Sequence, residues 1–228
     1  MSKELKATLM FLFPGIIFIK GTSIGIYNNE NDYTIIECEH GNILFEITAV
    51  SLNRRGEILI FYDGTKTTVF NCKNIHYRIL DSVVMYRAIG DYKVIFNYKE
   101  AIVFYNNEVI VDCEFVNVKI NEKDINFPLS IEFKGNRKVT FDKYGNERNP
   151  IDVICSRMKF KDLYRENTYF GCCIYVGVDN NNFVYKYDNY GIPVNNIGTK
   201  YTKEQIDNLL NRFKDTEVII RNGKILQR

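Results

Sequence analysis

The stretch Gly56–Cys72, GEILIFYDGTKTTVFNC, decides the fold class. An apolar run, ILIFY, meets Asp63-Gly64, and a second run of Thr, Val and Phe leads away from it. Aromatic and β-branched residues fit a pleated, half-buried surface. A short Asp-Gly or Asn-rich connection between two such runs signals a hairpin. The stretch Glu100–Cys113, EAIVFYNNEVIVDC, repeats the arrangement with Asn106-Asn107 at the turn.

Outward from these two hairpins, strand-like runs recur along the chain. They lie at Ile16–Lys20, Tyr33–Cys38, Ile43–Val50, Glu57–Tyr62, Thr67–Cys72 and Ser82–Ile89. Others follow at Tyr92–Tyr98, Ala101–Tyr105, Val109–Cys113, Leu129–Phe133 and Lys138–Phe141. Short strands at this spacing imply an antiparallel sandwich, barrel or meander rather than βαβ units. The predicted fold is therefore mainly β, with a smaller β-rich C-terminal region carrying one or two helices.

Two echoes run through the sequence. Tyr27-Asn28-Asn29, Tyr62-Asp63-Gly64 and Tyr105-Asn106-Asn107 each follow an apolar run and each precede a cysteine, at Cys38, Cys72 and Cys113. A repeat of about 35–45 residues would be blade-like, but the uneven spacing favours repeated hairpins. DKYGNERNPI (Asp142–Ile151) and DNYGIPVNNI (Asp188–Ile197) share D-x-Y-G-x-x-x-N-x-I. Behind the second copy, Thr202 and Gln205 form a capping-box pattern, with Ile206, Leu209, Leu210 and Phe213 on one face, and predict a helix over 202–213. Behind the first, Ser156 is the expected cap of a less regular helix, with a strand through Ile151–Phe160 as the competing reading. Asn222-Gly223 predicts a C-terminal hairpin.

Charge divides the chain. Residues 1–133 carry 13 Lys and Arg against 17 Asp and Glu, and residues 134–228 carry 17 against 11. This places the expected boundary at Phe133-Lys134, between an acidic antiparallel β region and a basic α+β region that could also pack as one domain. Overall the net charge is only +2, so the whole molecule is not a polycation.

The apolar run Ala7–Ile19 is too short for a membrane span, and Pro14-Gly15 interrupts it. The expectation is a hairpin in a cytoplasmic protein with no membrane partner. The alternative is a secreted protein whose signal peptide is this run. Six cysteines, at Cys38, Cys72, Cys113, Cys155, Cys172 and Cys173, form no C-x-x-C pair and are expected as free thiols.

No Walker loop, G-x-G-x-x-G, H-E-x-x-H or EF-hand loop is present. Cys38, His40, Cys72 and His76 would be the zinc candidates, but Cys72 and His76 stand four apart, a spacing that suits a helix or turn rather than a strand. Ser156-x-x-Lys159 matches S-x-x-K without the companion motifs of that chemistry. Glu37 with Glu39, and Asp112 with Glu114, share strand faces in the way of a solvated sheet. No catalytic residue, metal ligand or cofactor is assigned.

The functional reading concentrates on residues 134–165. Lys134, Arg137, Lys138, Lys143, Arg148, Arg157, Lys159, Lys161 and Arg165 alternate there with aromatics, Tyr144 among them. Basic groups neutralise phosphates and aromatics stack on bases. Tyr and Arg also anchor protein interfaces. Three functions remain open. The first is a non-enzymatic protein that binds another protein or a nucleoprotein, such as a viral or mobile-element inhibitor or immunity protein. The second is an RNA- or DNA-binding module using the 134–165 surface. The third is an enzyme with a dispersed site around His40 or His76.

Overall fold

The computed structural model describes residues 2–167, 173–194, 197–213 and 217–226, so Cys172 lies outside the described residues. The chain divides into two compact units, one running up to Glu114 and one starting at Phe115. It is mainly β, built from antiparallel meanders, with three helices among the described residues.

The first unit opens with helix α1 (Lys3–Leu12) and continues as three sheets, each strand pairing with its neighbour in sequence. The first sheet holds β1 (Ile17–Phe18), β2 (Ile24–Asn29), β3 (Asp32–Glu37) and β4 (Ile43–Thr48). The second holds β5 (Ser51–Arg55), β6 (Ile58–Tyr62), β7 (Lys66–Asn71) and β8 (His76–Asp81). In the third, β9 (Met85–Ile89), β10 (Tyr92–Phe96) and β11 (Glu100–Tyr105) are followed by the first part of β12 (Glu108–Ile120). A four-stranded meander is the unit from which propeller blades are made. The predicted hairpins are thus joined in fours.

The decisive stretch forms β6 and β7. Asp63 Oδ1 accepts the N–H groups of Thr65 and Lys66, each at 2.7 Å, and Gly64 takes φ +105°. Side chains alternate across this hairpin, and both faces are covered. Leu59, Phe61 and Phe70 pack with Ile24, Ile26, Tyr33 and Ile35 of the first sheet. Ile58, Ile60 and Val69 pack with Ile95, Ile102 and Phe104 of the third. That is why ILIFY reads as a continuous apolar run instead of an alternating one.

The structure departs from the sequence expectations at several points. The first half of the N-terminal apolar run is a helix, not a strand, and its second half forms β1, which pairs with β2. Ser2 Oγ accepts the Leu5 N–H at 3.2 Å, Leu9 is buried, and the helix ends before Pro14. Tyr27-Asn28-Asn29 is the end of β2 and not a turn; the chain reverses at Glu30, which takes φ +58°. The polar strand β5 escaped notice because it is an edge strand whose Asn53, Arg54 and Arg55 face solvent. The third Tyr-turn-Cys echo also lies one strand out of step. Tyr62 ends the second strand of its sheet, whereas Tyr105 ends the third. The turn matching Asp63 is made by Asn97, whose Oδ1 accepts from Lys99 N (2.8 Å) and Glu100 N (2.7 Å).

In the second unit, the rest of β12 pairs with β13 (Leu129–Phe133), which pairs with β14 (Lys138–Phe141) and then β15 (Glu147–Arg148). The charge change at Phe133-Lys134 therefore falls at the end of β13. After α2 (Pro150–Arg157) come β16 (Asp162–Asn167), β17 (Cys173–Val178), β18 (Phe183–Tyr187) and β19 (Thr199–Lys200). Then come α3 (Lys203–Arg212), β20 (Glu217–Arg221) and β21 (Lys224–Ile225), with the strand order β19-β18-β17-β16-β20-β21.

This second sheet is also covered twice. Ile154 of α2 packs with Leu163, Tyr175, Tyr187 and Ile220, while Ile206 of α3 and Phe213 pack with Tyr164, Val176 and Val184. The capping box of α3 is present in both directions, Gln205 N to Thr202 Oγ1 at 3.2 Å and Thr202 N to Gln205 Oε1 at 2.8 Å. Helix α2 starts earlier than expected. Asn149 Oδ1 accepts the Asp152 N–H at 2.9 Å and Pro150 opens the first turn, so Ser156 sits in the last turn and donates to Val153 O.

The D-x-Y-G echo is one turn solved twice. Asp142 Oδ1 accepts from Tyr144 N and Asn146 N, and Asp188 Oδ1 accepts from Tyr190 N and Ile192 N. Gly145 and Gly191 take φ +86° and +81°. Asp179 builds the same turn with Asn182 at φ +63° and neither Tyr nor Gly.

A side chain at Gly191 would place its Cβ 2.5 Å from Pro150 O, whereas at Gly64 it would meet nothing within 4 Å. Both positions carry the left-handed penalty of roughly 1–2 kcal/mol. Only Gly191→Ala adds overpacking of roughly 1–3 kcal/mol. In urea titrations Gly191→Ala is expected to lose clearly more stability than Gly64→Ala, and equal losses would refute the close approach.

Candidate binding surface of the second unit

The ten residues singled out between 134 and 165 are distributed over β14, β15, α2, β16 and the turns beside them, and six of them line two concavities. Lys134, Arg137 and Lys138 lie on the β13–β14 hairpin, and Arg165 lies on β16. Lys143, Tyr144, Arg148 and Arg157 converge on a pocket of about 650 Å³, lined also by Asn126, Phe127, Asp142, Asp152 and Ser156. Lys159 and Lys161 line a different hollow of about 630 Å³ with Cys155, Met158 and Phe160.

Local turns place the first group. The Asp142 turn aims Tyr144 outward, 65% exposed, with Lys143 Nζ 5.1 Å from its ring centre. Arg148 on β15 reaches back to Asp142, its Nε and Nη2 both 3.0 Å from Oδ2. Arg157, in the last turn of α2, lies over Phe127, 4.9 Å from its ring centre, and pairs with Asp124. Among the described residues its buried Nε has no hydrogen-bond acceptor.

Arg157 also borders a larger groove of about 1060 Å³. The walls carry Lys119, Glu122, Lys123 and Asp124 together with Ile120, Ile192, Val194 and Ile197. Sequence reasoning missed this groove. Its residues come from two distant stretches, and nothing in either announces the other. The one local signal was the apolar pair Val194 and Ile197 in a loop, each exposed.

The electrostatics of the surface are mixed. Arg137 pairs with Glu147 at 2.5 Å, Lys138 with Glu132 at 3.0 Å, and Arg165 with Glu217 at 3.2 Å. With Arg148–Asp142 and Arg157–Asp124, at least five of the nine basic residues are held by carboxylates. Burial pushes the Asp142 carboxyl up, but the N–H groups of Asn146 and Tyr144 and the side chains of Asn146 and Arg148 outweigh it and hold the group below its ordinary range. Burial, then the Glu132 carboxylate, push the Tyr190 phenol up to about 12, so it stays protonated and donates to Glu132.

The other candidate chemistry is dispersed. Burial, then Glu37, raise the Cys38 thiol, and burial, then Glu57, push Cys72 to about 12. Thiols held protonated are poor nucleophiles and poor metal ligands. His40 meets Glu37 instead, Nδ1 to Oε2 at 3.3 Å. Glu37, Glu39 and His40 lie close enough to share an ion, but the Glu37 oxygens also accept the N–H groups of Glu39 and His40 as a turn cap. His76 is exposed on β8, opposite Asn71. Neither histidine lines any of the three larger concavities. Of the acidic pairs, Asp112 binds Arg78 at 3.1 Å and Glu114 binds Lys99 at 3.3 Å.

No protein family matches the sequence, and no curated protein does. Among solved structures the chain is similar to Hsv2 of Kluyveromyces lactis, at 12% identity over 79% of this chain and 62% of that one, with a TM-score of 0.23. It is similar to the N-terminal domain of Nup159 at 9% identity over 78% and 61%, with a TM-score of 0.28. A chain of a mitotic checkpoint complex aligns at 8% over 82% and 64%, with a TM-score of 0.27. The chain spans less than two thirds of each of these chains, and similarity at this level bears on neither activity nor partner.

Two outcomes follow from the site geometry. Iodoacetamide is expected to leave Cys38 and Cys72 unmodified in the native chain and to label them on unfolding, read by peptide mass spectrometry. Native labelling of either would contradict its burial. The second concerns acid. Asp142 is ionised in the folded chain below the pH at which the unfolded chain takes up its proton, near 4. Its stabilisation is complete above that pH and is lost as the solution is acidified through the lower, folded value. Asp142→Asn is expected to cost roughly 1–3 kcal/mol at neutral pH and to flatten the stability curve below pH 4. An unchanged acid limb would refute the role of Asp142.

Proposed function

We propose that the chain is a non-enzymatic binding protein whose second unit docks a protein partner on the surface between residues 134 and 165 and along the adjoining groove. The observation supporting this is the pairing of charge. A surface built for polyphosphate leaves its cations open to exchange counterions for phosphate. Here most of the arginines are already held by carboxylates, while Tyr144, Val194 and Ile197 stand exposed at the concavities. Aromatic and aliphatic anchors within a rim of mixed charge are the usual composition of a protein interface. A role as a viral or mobile-element inhibitor or immunity protein, blocking the partner's own site, is the specific form of this proposal.

The test is a pull-down from the native host with and without nuclease, followed by titration of the recovered partner. A protein retained after nuclease treatment, whose affinity changes modestly between 50 and 200 mM salt, supports the reading. Tyr144→Ala or Ile197→Asp should then weaken binding about fivefold or more, the effect of losing an anchor worth over 1 kcal/mol. A nucleic acid recovered instead, with affinity falling by roughly 10³ or more over that salt range, replaces it with the nucleic-acid reading.

A further inference from the structure

Helix α1 buries a single residue, Leu9, and most of the rest of the helix is exposed. Leu9 Cδ2 lies within 3.6 Å of a Cβ built at Gly41. The segment after the helix packs on β2. Ile16 fills the space over Gly25, where an added Cβ would stand 2.6 Å from Ile16 Cδ1, and Phe13 meets Tyr27 with ring centres 6.0 Å apart. Met10, Phe11 and Leu12 are exposed in succession, Phe11 by 85%, and Ile17 on β1 is exposed as well. A helix turn that is apolar on every side belongs in an apolar environment, and this one meets the protein on one side only.

The chain segment that carries this tip has a net charge opposite in sign to the rest of the unit. Residues 2–20 contain Lys3, Lys6 and Lys20 against Glu4 alone, while residues 21–114 contain 8 Lys and Arg against 13 Asp and Glu. Lys6 lies over Phe18, 4.9 Å from its ring centre, and Lys3 and Lys20 are exposed. A second copy of the chain would bring two such cationic tips together. A neutral apolar surface would gain nothing from the lysines.

We propose that the α1 tip is a contact site for an anionic lipid surface, with Phe11, Leu12 and Met10 entering the headgroup–acyl boundary and Lys3 and Lys6 of the same helix paired with lipid phosphates or carboxylates. Short apolar-and-basic segments of this kind bind reversibly and rely on both components. The acidic body of the unit, repelled by the same surface, fixes which end approaches. No helix among the described residues is long and apolar enough to cross a membrane, so the contact is with the surface.

The chain contains no tryptophan, which gives the test a clean probe. Phe11→Trp and, as a control on the same unit, Tyr98→Trp replace residues exposed by 85% and 80%. On titration with vesicles of phosphatidylcholine and phosphatidylserine, Phe11→Trp is expected to shift its emission to the blue and Tyr98→Trp to stay unchanged. Neither should respond to phosphatidylcholine alone. In sedimentation of the chain without either probe, Phe11→Asp and the double change Lys3→Glu with Lys6→Glu should each reduce the fraction bound to anionic vesicles about tenfold or more. Both retain exposed positions, and circular dichroism checks that the fold is kept. Three results would overturn the proposal: no shift with anionic vesicles, binding that ignores both variants, or a concentration-dependent dimer in sedimentation velocity that Phe11→Asp dissolves.

Discussion

A sheet made of Ile, Phe, Val and Tyr has two apolar faces, and each must be removed from water. At roughly 25 cal/mol per Å² of apolar surface, an uncovered face would forfeit the main stabilising contribution of its strands. The second sheet meets this constraint most fully. Its alternate residues feed two separate clusters, one shared with the first sheet and one with the third. The sheet from β16 to β21 meets it with helices, α2 on one face and α3 on the other. At the first sheet Ile16, from the segment after α1, lies over Gly25, which has no side chain because Ile16 already occupies that space.

Much of this was legible in the sequence for local reasons. Asp63-Gly64, Asn106-Asn107 and Asn222-Gly223 each need a backbone that few residues adopt, so composition alone locates those reversals. The capping box at Thr202 and Gln205 is likewise complete within four residues. What failed was the assignment of elements whose identity rests on distant partners. The run from Ala7 is apolar enough for strand or helix. Its first half is helical, with Ser2 as the cap and Leu9 buried beside Gly41 in the turn after β3. Strand β5 is polar because it is an edge, a property of its neighbours and not of its residues.

The surface was legible only in part, for a related reason. Sequence shows where lysines and arginines are dense, but not which carboxylates reach them. Glu132, Asp124 and Glu217 lie outside the interval or at its margin, yet they neutralise Lys138, Arg157 and Arg165. A basic run in one dimension becomes a mixed surface in three. That change moves the functional reading away from phosphate and toward a protein partner. The groove beside it was invisible because β12's continuation and the loop before β19 are far apart in the chain.

The two D-x-Y-G turns show how far a sequence echo can be trusted. Locally they agree down to the acceptor atom, since Asp142 and Asp188 bind the same relative N–H groups and each is followed by a glycine in the left-handed region. Their tyrosines then part company. Tyr190 is only 4% exposed, and its phenol takes a hydrogen bond from Asn117 and gives one to Glu132. Tyr144 stands in solvent at the mouth of a pocket. The shared letters encode a turn, and Asp179 shows that the turn needs only the aspartate and a residue tolerant of positive φ. What surrounds the turn decides whether its tyrosine holds the fold together or stands exposed, as the proposed binding role of Tyr144 requires. Residue 144 therefore has a functional claim that its twin at 190 does not.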